Sequence, residues 1–82
     1  MGAVPRRIVW RCRRGTKELD LVLGQFLACG YSELDAASEQ LFEEMLELQD
    51  TSLIEWLLYR QPPDPKYAEV VSRILQSDVE RH

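Results

Sequence analysis

Apolar residues in this chain recur at helical spacing, and glycine and proline cut the stripes into short pieces. Leu19, Val22, Leu23, Phe26 and Leu27 stand at i, i+3, i+4, i+7 and i+8, one apolar face of a helix that must find a partner. Gly30 stops that pattern. Asp35 is the expected cap of the next helix, whose buried face reads Ala37, Leu41, Phe42, Met45 and Leu48. Glu39, Glu43, Glu44 and Glu47 line its opposite, solvated face. Asp50 or Ser52 caps a fourth helix, Ser52 with Glu55 having capping-box form. Leu53, Ile54, Trp56, Leu57 and Leu58 make this helix apolar on most sides, so it is expected to be the most buried element, with Trp56 in the core. Pro62 and Pro63 end it. Asp64-Pro65 then opens a last helix marked by Tyr67, Val70, Val71, Ile74 and Leu75.

Ahead of these, Pro5 fits the first turn of a short helix. Ile8, Val9 and Cys12 share one side of it, with Arg6, Arg7, Trp10, Arg13 and Arg14 around the other. Gly15 ends this helix in the left-handed conformation that glycine adopts cheaply, and Thr16 caps the helix that follows. No stretch alternates at period two and no hairpin turn signal occurs. The expectation is an all-α, compact five-helix bundle: a single domain over 1–82, with an ordered core at 5–77 and a frayed tail at 78–82. A chain of 82 residues buries roughly two-thirds of its unfolded surface, enough for one modest core.

Several function classes lose support at once. No nucleophile stands beside a base, no glycine-rich phosphate loop follows a strand, and His82, at the C-terminal end, is the only histidine. The chain therefore reads as a non-enzyme, without a metal site or a cofactor of its own. Cys12 and Cys29 form no C-x-x-C pair and read as reduced thiols. No apolar run approaches the ~20 residues of a membrane span, and the N-terminus lacks an apolar signal core and fails the myristoylation pattern at Arg6. The expected setting is a bacterial cytoplasm, without membrane insertion, as a monomer.

Charge is sharply divided. Residues 1–17 hold Arg6, Arg7, Arg11, Arg13, Arg14 and Lys17 with no acid, whereas the remainder holds four basic side chains against fourteen acids. Such a dipole presents its basic end to an acidic partner. Nucleic acid is not expected, because the body is acidic and the isoelectric point is about 4.9. Within the basic end, Trp10 is an aromatic among arginines, a pairing enriched at binding hot spots, and helical spacing sets it beside Arg14. Arg14, Gly15 and Glu18 admit two readings. One is a helix-ending glycine with a surface Arg14–Glu18 ion pair. The other is a bare turn that a partner backbone approaches closely, flanked by that charged pair.

Arg14-Gly15-Thr16-Lys17-Glu18 matches an R-G-x-x-E motif, set in Arg7-Ile8-Val9-Trp10-Arg11-Cys12-Arg13-Arg14-Gly15 and followed by Leu19-Asp20. Tyr31, Leu34, Phe42, Leu46, Asp50, Leu53 and Trp56-Leu57 follow in matching order. Over roughly residues 6–76 the chain resembles the SdhE family of bacterial FAD assembly factors. The resemblance implies a five-helix bundle that binds the flavoprotein subunit of succinate dehydrogenase or fumarate reductase. It further implies that the family member promotes covalent attachment of FAD to a histidine of that subunit, so the FAD belongs to the partner. It places the partner-binding site at Arg14, Gly15 and Glu18, with Trp10, Asp20 and Arg11 as neighbours. Some members carry an antitoxin label, leaving a regulatory or antitoxin module with another target as the alternative.

Overall fold

A computed structural model describes residues 4–80, with side chains through Ser77. Among the described residues there are five helices and no strand: α1 (Arg6–Arg11), α2 (Lys17–Cys29), α3 (Ala36–Met45), α4 (Asp50–Leu57) and α5 (Ala68–Glu80). Short 3-10 turns at Tyr31–Glu33 and Pro65–Tyr67 lead into α3 and α5. The Cα radius of gyration is 11.4 Å, against roughly 12 Å for a folded chain of this length, so the expected compact all-α bundle is the fold observed. No helix among the described residues is long and apolar enough to cross a membrane. Part of the tail expected to fray, and His82 with it, lies outside the described residues.

The organising helix is α2. Leu19, Val22, Leu23 and Phe26 are buried on one face, packing chiefly on α5 and also on α4. Phe42 of α3 meets Phe26 at 5.2 Å and Tyr31 at 5.7 Å between ring centroids, joining three elements through aromatic edges. Val70, Val71 and Ile74 of α5 and Leu53 and Leu57 of α4 complete the core. Gly30 is demanded by close approach: a Cβ there would stand 2.8 Å from two carbons of the Phe26 ring and 2.9 Å from Ser77 Oγ.

The caps follow the sequence in part. Asp35 Oδ1 accepts from the Ser38 amide at 2.8 Å, and Asp64 Oδ1 from the Lys66 amide at 2.9 Å. Pro5 stands just outside α1, its carbonyl accepting from the Ile8 and Val9 amides. Thr16 occupies the cap position of α2 without a side-chain bond.

Other expectations are corrected. Helix α4 starts at Asp50 behind Gln49 and has no side-chain cap, because the Asp50 carboxylate is engaged elsewhere; the Ser52–Glu55 capping box does not form. Nor is α4 the most buried element. It buries only Leu53 and Leu57 fully, with Ile54, Trp56 and Leu58 half-buried at its flanks, whereas α2 buries Leu19, Val22, Leu23 and Phe26. Trp56 packs on Tyr67 at 6.1 Å, at the edge of the core. The chain leaves α4 at Leu57, before the prolines, turning through Arg60 at φ +58. On α3 the buried direction runs between Phe42 and Met45, which leaves Ala37 exposed, and Leu34 and Leu46 beyond its ends fill the core instead. Val9 is likewise exposed, so Ile8 and Cys12 alone anchor α1 in the core.

Candidate functional site

Helix α1 stops at Arg11 and five residues carry the chain into α2. The Cys12 and Arg13 amides still donate back to the carbonyls of Ile8, Val9 and Trp10, so the turn begins as a tightening of the helix. Gly15 then takes φ +83, and an added Cβ would meet nothing within 4 Å. Its need for glycine is therefore conformational, and its outer side is open.

Arg14 faces the other way. Its amide donates to Asp20 Oδ1 at 2.7 Å. Its guanidinium donates from Nε to Asp50 Oδ1 at 2.8 Å, from Nη1 to the Leu46 carbonyl at 2.6 Å and the Arg11 carbonyl at 2.9 Å, and from Nη2 to the Leu48 carbonyl at 2.7 Å. The side chain is only 14% exposed. Leu46, Leu48 and Asp50 sit where α3 ends and α4 begins and Arg11 ends α1, and the carbonyls leaving a helix lack internal partners and favour a cation. An Arg14–Glu18 surface ion pair is thus not what forms: the guanidinium points inward to Asp50, and Glu18 stands exposed in the first turn of α2. The expected Trp10–Arg14 neighbourhood also fails, because the helix ends between them. Arg13 lies over the Trp10 ring instead, 5.7 Å from its centroid.

The basic end is consequently divided into two faces. Arg7 reaches Glu43 through two hydrogen bonds at 2.9 and 3.2 Å, and Arg11 reaches Glu47 at 3.2 Å and Glu43 at 3.6 Å. Lys66 pairs with Glu44 at 2.8 Å. The acidic row of α3, expected to be simply solvated, therefore holds α1 and the start of α5. The Arg7 guanidinium keeps the Glu43 carboxyl below the usual carboxylate range. One sequence signal could have revealed this: Arg7 and Arg11 are four apart, as are Glu43 and Glu47, so two helices can zip their charges in register.

What remains outward is Arg6, Val9, Trp10, Arg13, Gly15, Lys17 and Glu18. Trp10 is 70% exposed, and with Arg6, Val9 and Arg13 it lines a shallow cleft. A second cleft between α1 and α2 is lined by Val9, Cys12, Arg13, Asp20, Gly24 and Leu27. Of the six expected site residues, Trp10, Gly15 and Glu18 thus lie on the exposed face. Asp20 and Arg14 hold the turn from within, and Arg11 is paired with α3. The composition of the turn could not separate these roles; only the position of Asp50 does.

Burial pushes the Cys12 thiol up to about 12, so it stays protonated and un-nucleophilic at neutral pH. Cys29 is exposed on the far end of α2. Among the described residues no cluster of three or more His, Cys, Asp and Glu side chains is placed to hold a metal.

Comparison with known proteins identifies the family. Residues 6–78 match the family Sdh5, described as the flavinator of succinate dehydrogenase. The FAD assembly factor SdhE of Legionella pneumophila (strain Lens) is 38% identical over 72 residues, covering 88% of this chain and 91% of the relative. That of Methylococcus capsulatus is 39% identical over 69 residues, 83% of each chain, and that of Yersinia pestis 36% over 72 residues, 87% of this chain and 81% of the relative. The match runs from the first residue of α1 almost to the end of α5 and includes both sides of the Gly15 turn, and the chain belongs to the Sdh5 family, the flavinators of succinate dehydrogenase.

Proposed function

We propose that this chain is an assembly factor that binds the flavoprotein subunit of succinate dehydrogenase and promotes covalent attachment of that subunit's FAD. The observation that carries the reading is the Gly15 turn, bare on its outer side and flanked by exposed Trp10 and Glu18. A turn without a side chain admits close approach of another backbone, Trp10 offers a large rigid contact, and Arg6, Arg13 and Lys17 complement an acidic rim. The proposal extends to the flavoprotein subunit of fumarate reductase as a second partner of the same surface.

The flavin and the partner's histidine supply the bond-forming chemistry when they meet. The present chain has only to hold the partner's segments in the arrangement where they react, which requires orientation and neither nucleophile nor cofactor. A buried, protonated Cys12 and the ion-paired carboxylates of α3 fit a non-catalytic role. The whole chain's net charge of −4 opposes self-association, and the proposal takes it as a monomer acting in the bacterial cytoplasm.

Affinity capture of the tagged chain from cells, followed by mass spectrometry, tests this reading. The flavoprotein subunit is the expected dominant partner, and Gly15→Arg is expected to abolish its capture. Recovery of a toxin or another target without any flavoprotein would replace it with the alternative of a regulatory module.

A further inference from the structure

Asp50 lies 36 residues beyond Arg14 in the chain and outside the R-G-x-x-E motif, yet its carboxylate receives the guanidinium at 2.8 Å. We propose that Asp50, acting through Arg14, is a positioning residue that sets the Gly15 turn for partner binding. The inference rests on the functional reading above, which it deepens by assigning the motif arginine to an internal strut.

Three elements hold the turn. The end of α1 contributes the Arg11 carbonyl, α2 contributes Asp20 to the Arg14 amide, and the α3–α4 junction contributes the Leu46 and Leu48 carbonyls with Asp50. Nothing stands within 4 Å of the position a Gly15 Cβ would take, so on that side no packing fixes the turn and it must be fixed from within. Asp50 is the carboxylate ion-paired to this nearly buried guanidinium. Without that charge, Arg14 would keep its carbonyls but remain a cation held only by neutral acceptors. Such a cation gains by turning out to water, and it would carry the backbone of Arg14 and Gly15 with it. The R-G-x-x-E motif thereby divides: Glu18 faces outward, Gly15 leaves the surface bare, and Arg14 belongs to the scaffold.

Asp50→Asn isolates the charge, because asparagine keeps the shape and is tolerated at a helix start. The test measures its affinity for the purified flavoprotein subunit, the flavinylation rate at saturation, and the backbone amide spectrum, well below the melting temperature. Affinity is expected to weaken roughly tenfold, the loss of one charge-assisted hydrogen bond. The rate at saturation should stay near wild type, and the Arg14, Gly15 and Thr16 amide signals should shift or broaden while those of α5 do not. Arg14→Ala and the Arg14→Ala/Asp50→Asn pair should weaken affinity equally, since they break one device. If Asp50→Asn does not fold, Arg14→Lys, which keeps the charge but cannot serve the same fork of acceptors, is expected to move the same amides. Unmoved Gly15 and Thr16 signals, or a lower melting temperature with unchanged affinity, would overturn the proposal. A wild-type chain that does not bind the flavoprotein would refute the functional reading, while the amide spectra still decide whether Asp50 sets the turn.

Discussion

Gly15 allows conformational demand and surface bareness to be separated by experiment. It stands at φ +83 with open space where a side chain would begin, so replacement by alanine meets no clash and registers only backbone strain. An L-residue held in the left-handed region costs about 1–2 kcal/mol, which for a domain of this size lowers the melting temperature by roughly 4–16 °C. Asparagine tolerates that region better, so Gly15→Asn should lose clearly less than Gly15→Ala. Gly24 supplies an opposite control. It also has open space around it but lies inside α2, and Gly24→Ala should gain about 0.5–1 kcal/mol. These values are read from calorimetry or urea titration of the four proteins. The binding arm then uses Gly15→Asn alone. A stability loss of this size leaves nearly every molecule folded, so any marked fall in affinity for the flavoprotein reports the added side chain on the outer face. A Gly15→Asn chain that binds like wild type would refute the requirement for a bare turn. A Gly15→Ala chain as stable as wild type would refute the left-handed conformation itself.

Three further outcomes are expected. Gly30→Ala drives a Cβ to 2.8 Å from the Phe26 ring and should destabilise by about 1–3 kcal/mol in urea titration, an unchanged midpoint contradicting that packing. Glu43 and Asp35 both titrate below the usual carboxylate range, held there by Arg7 and by the Ser38 amide respectively. Their contribution is present above an unfolded-chain pKa of about 4 and is lost as pH falls through their lower folded values, so melting temperature should drop on acidification, less steeply in Glu43→Gln. Burial pushes the Cys12 thiol up to about 12 while Cys29 is exposed, so a thiol reagent at neutral pH should modify one cysteine rapidly in the folded chain and both after denaturation. Because the unfolded thiol ionises near pH 8.5, the same burial makes stability fall between there and pH 12.

The helices were legible because their signals are local. The α2 stripe, the Asp35 and Asp64 caps and the left-handed Gly15 depend on residues a few positions apart and appear where the spacing puts them, although α1 already ends at Arg11, four residues before the glycine. Burial rank was less legible. Counting apolar positions favours α4, but burial follows how closely the neighbours cover each position, and α2 buries four side chains where α4 buries two. At the site, the glycine and the exposed tryptophan could be read directly, whereas the roles of the arginines could not. Whether Arg14 faces Glu18 or Asp50 is decided by where the α3–α4 junction lands, a contact 36 residues away that no local pattern carries. Arg7 and Arg11 were similarly counted with the outward charge, although the acids of α3 claim them.

Promotion of covalent FAD attachment through the bare turn and its neighbours Trp10 and Glu18 is the activity proposed for this chain. It is tested most directly by mixing purified flavoprotein subunit lacking covalent flavin with FAD, with and without this chain, and following the intact mass of the subunit over time. The expected result is faster accumulation of the covalent adduct with the wild-type chain, and none of that acceleration with folded Gly15→Arg or Glu18→Ala. Equal adduct formation with and without the chain, or full acceleration by both variants, would contradict it.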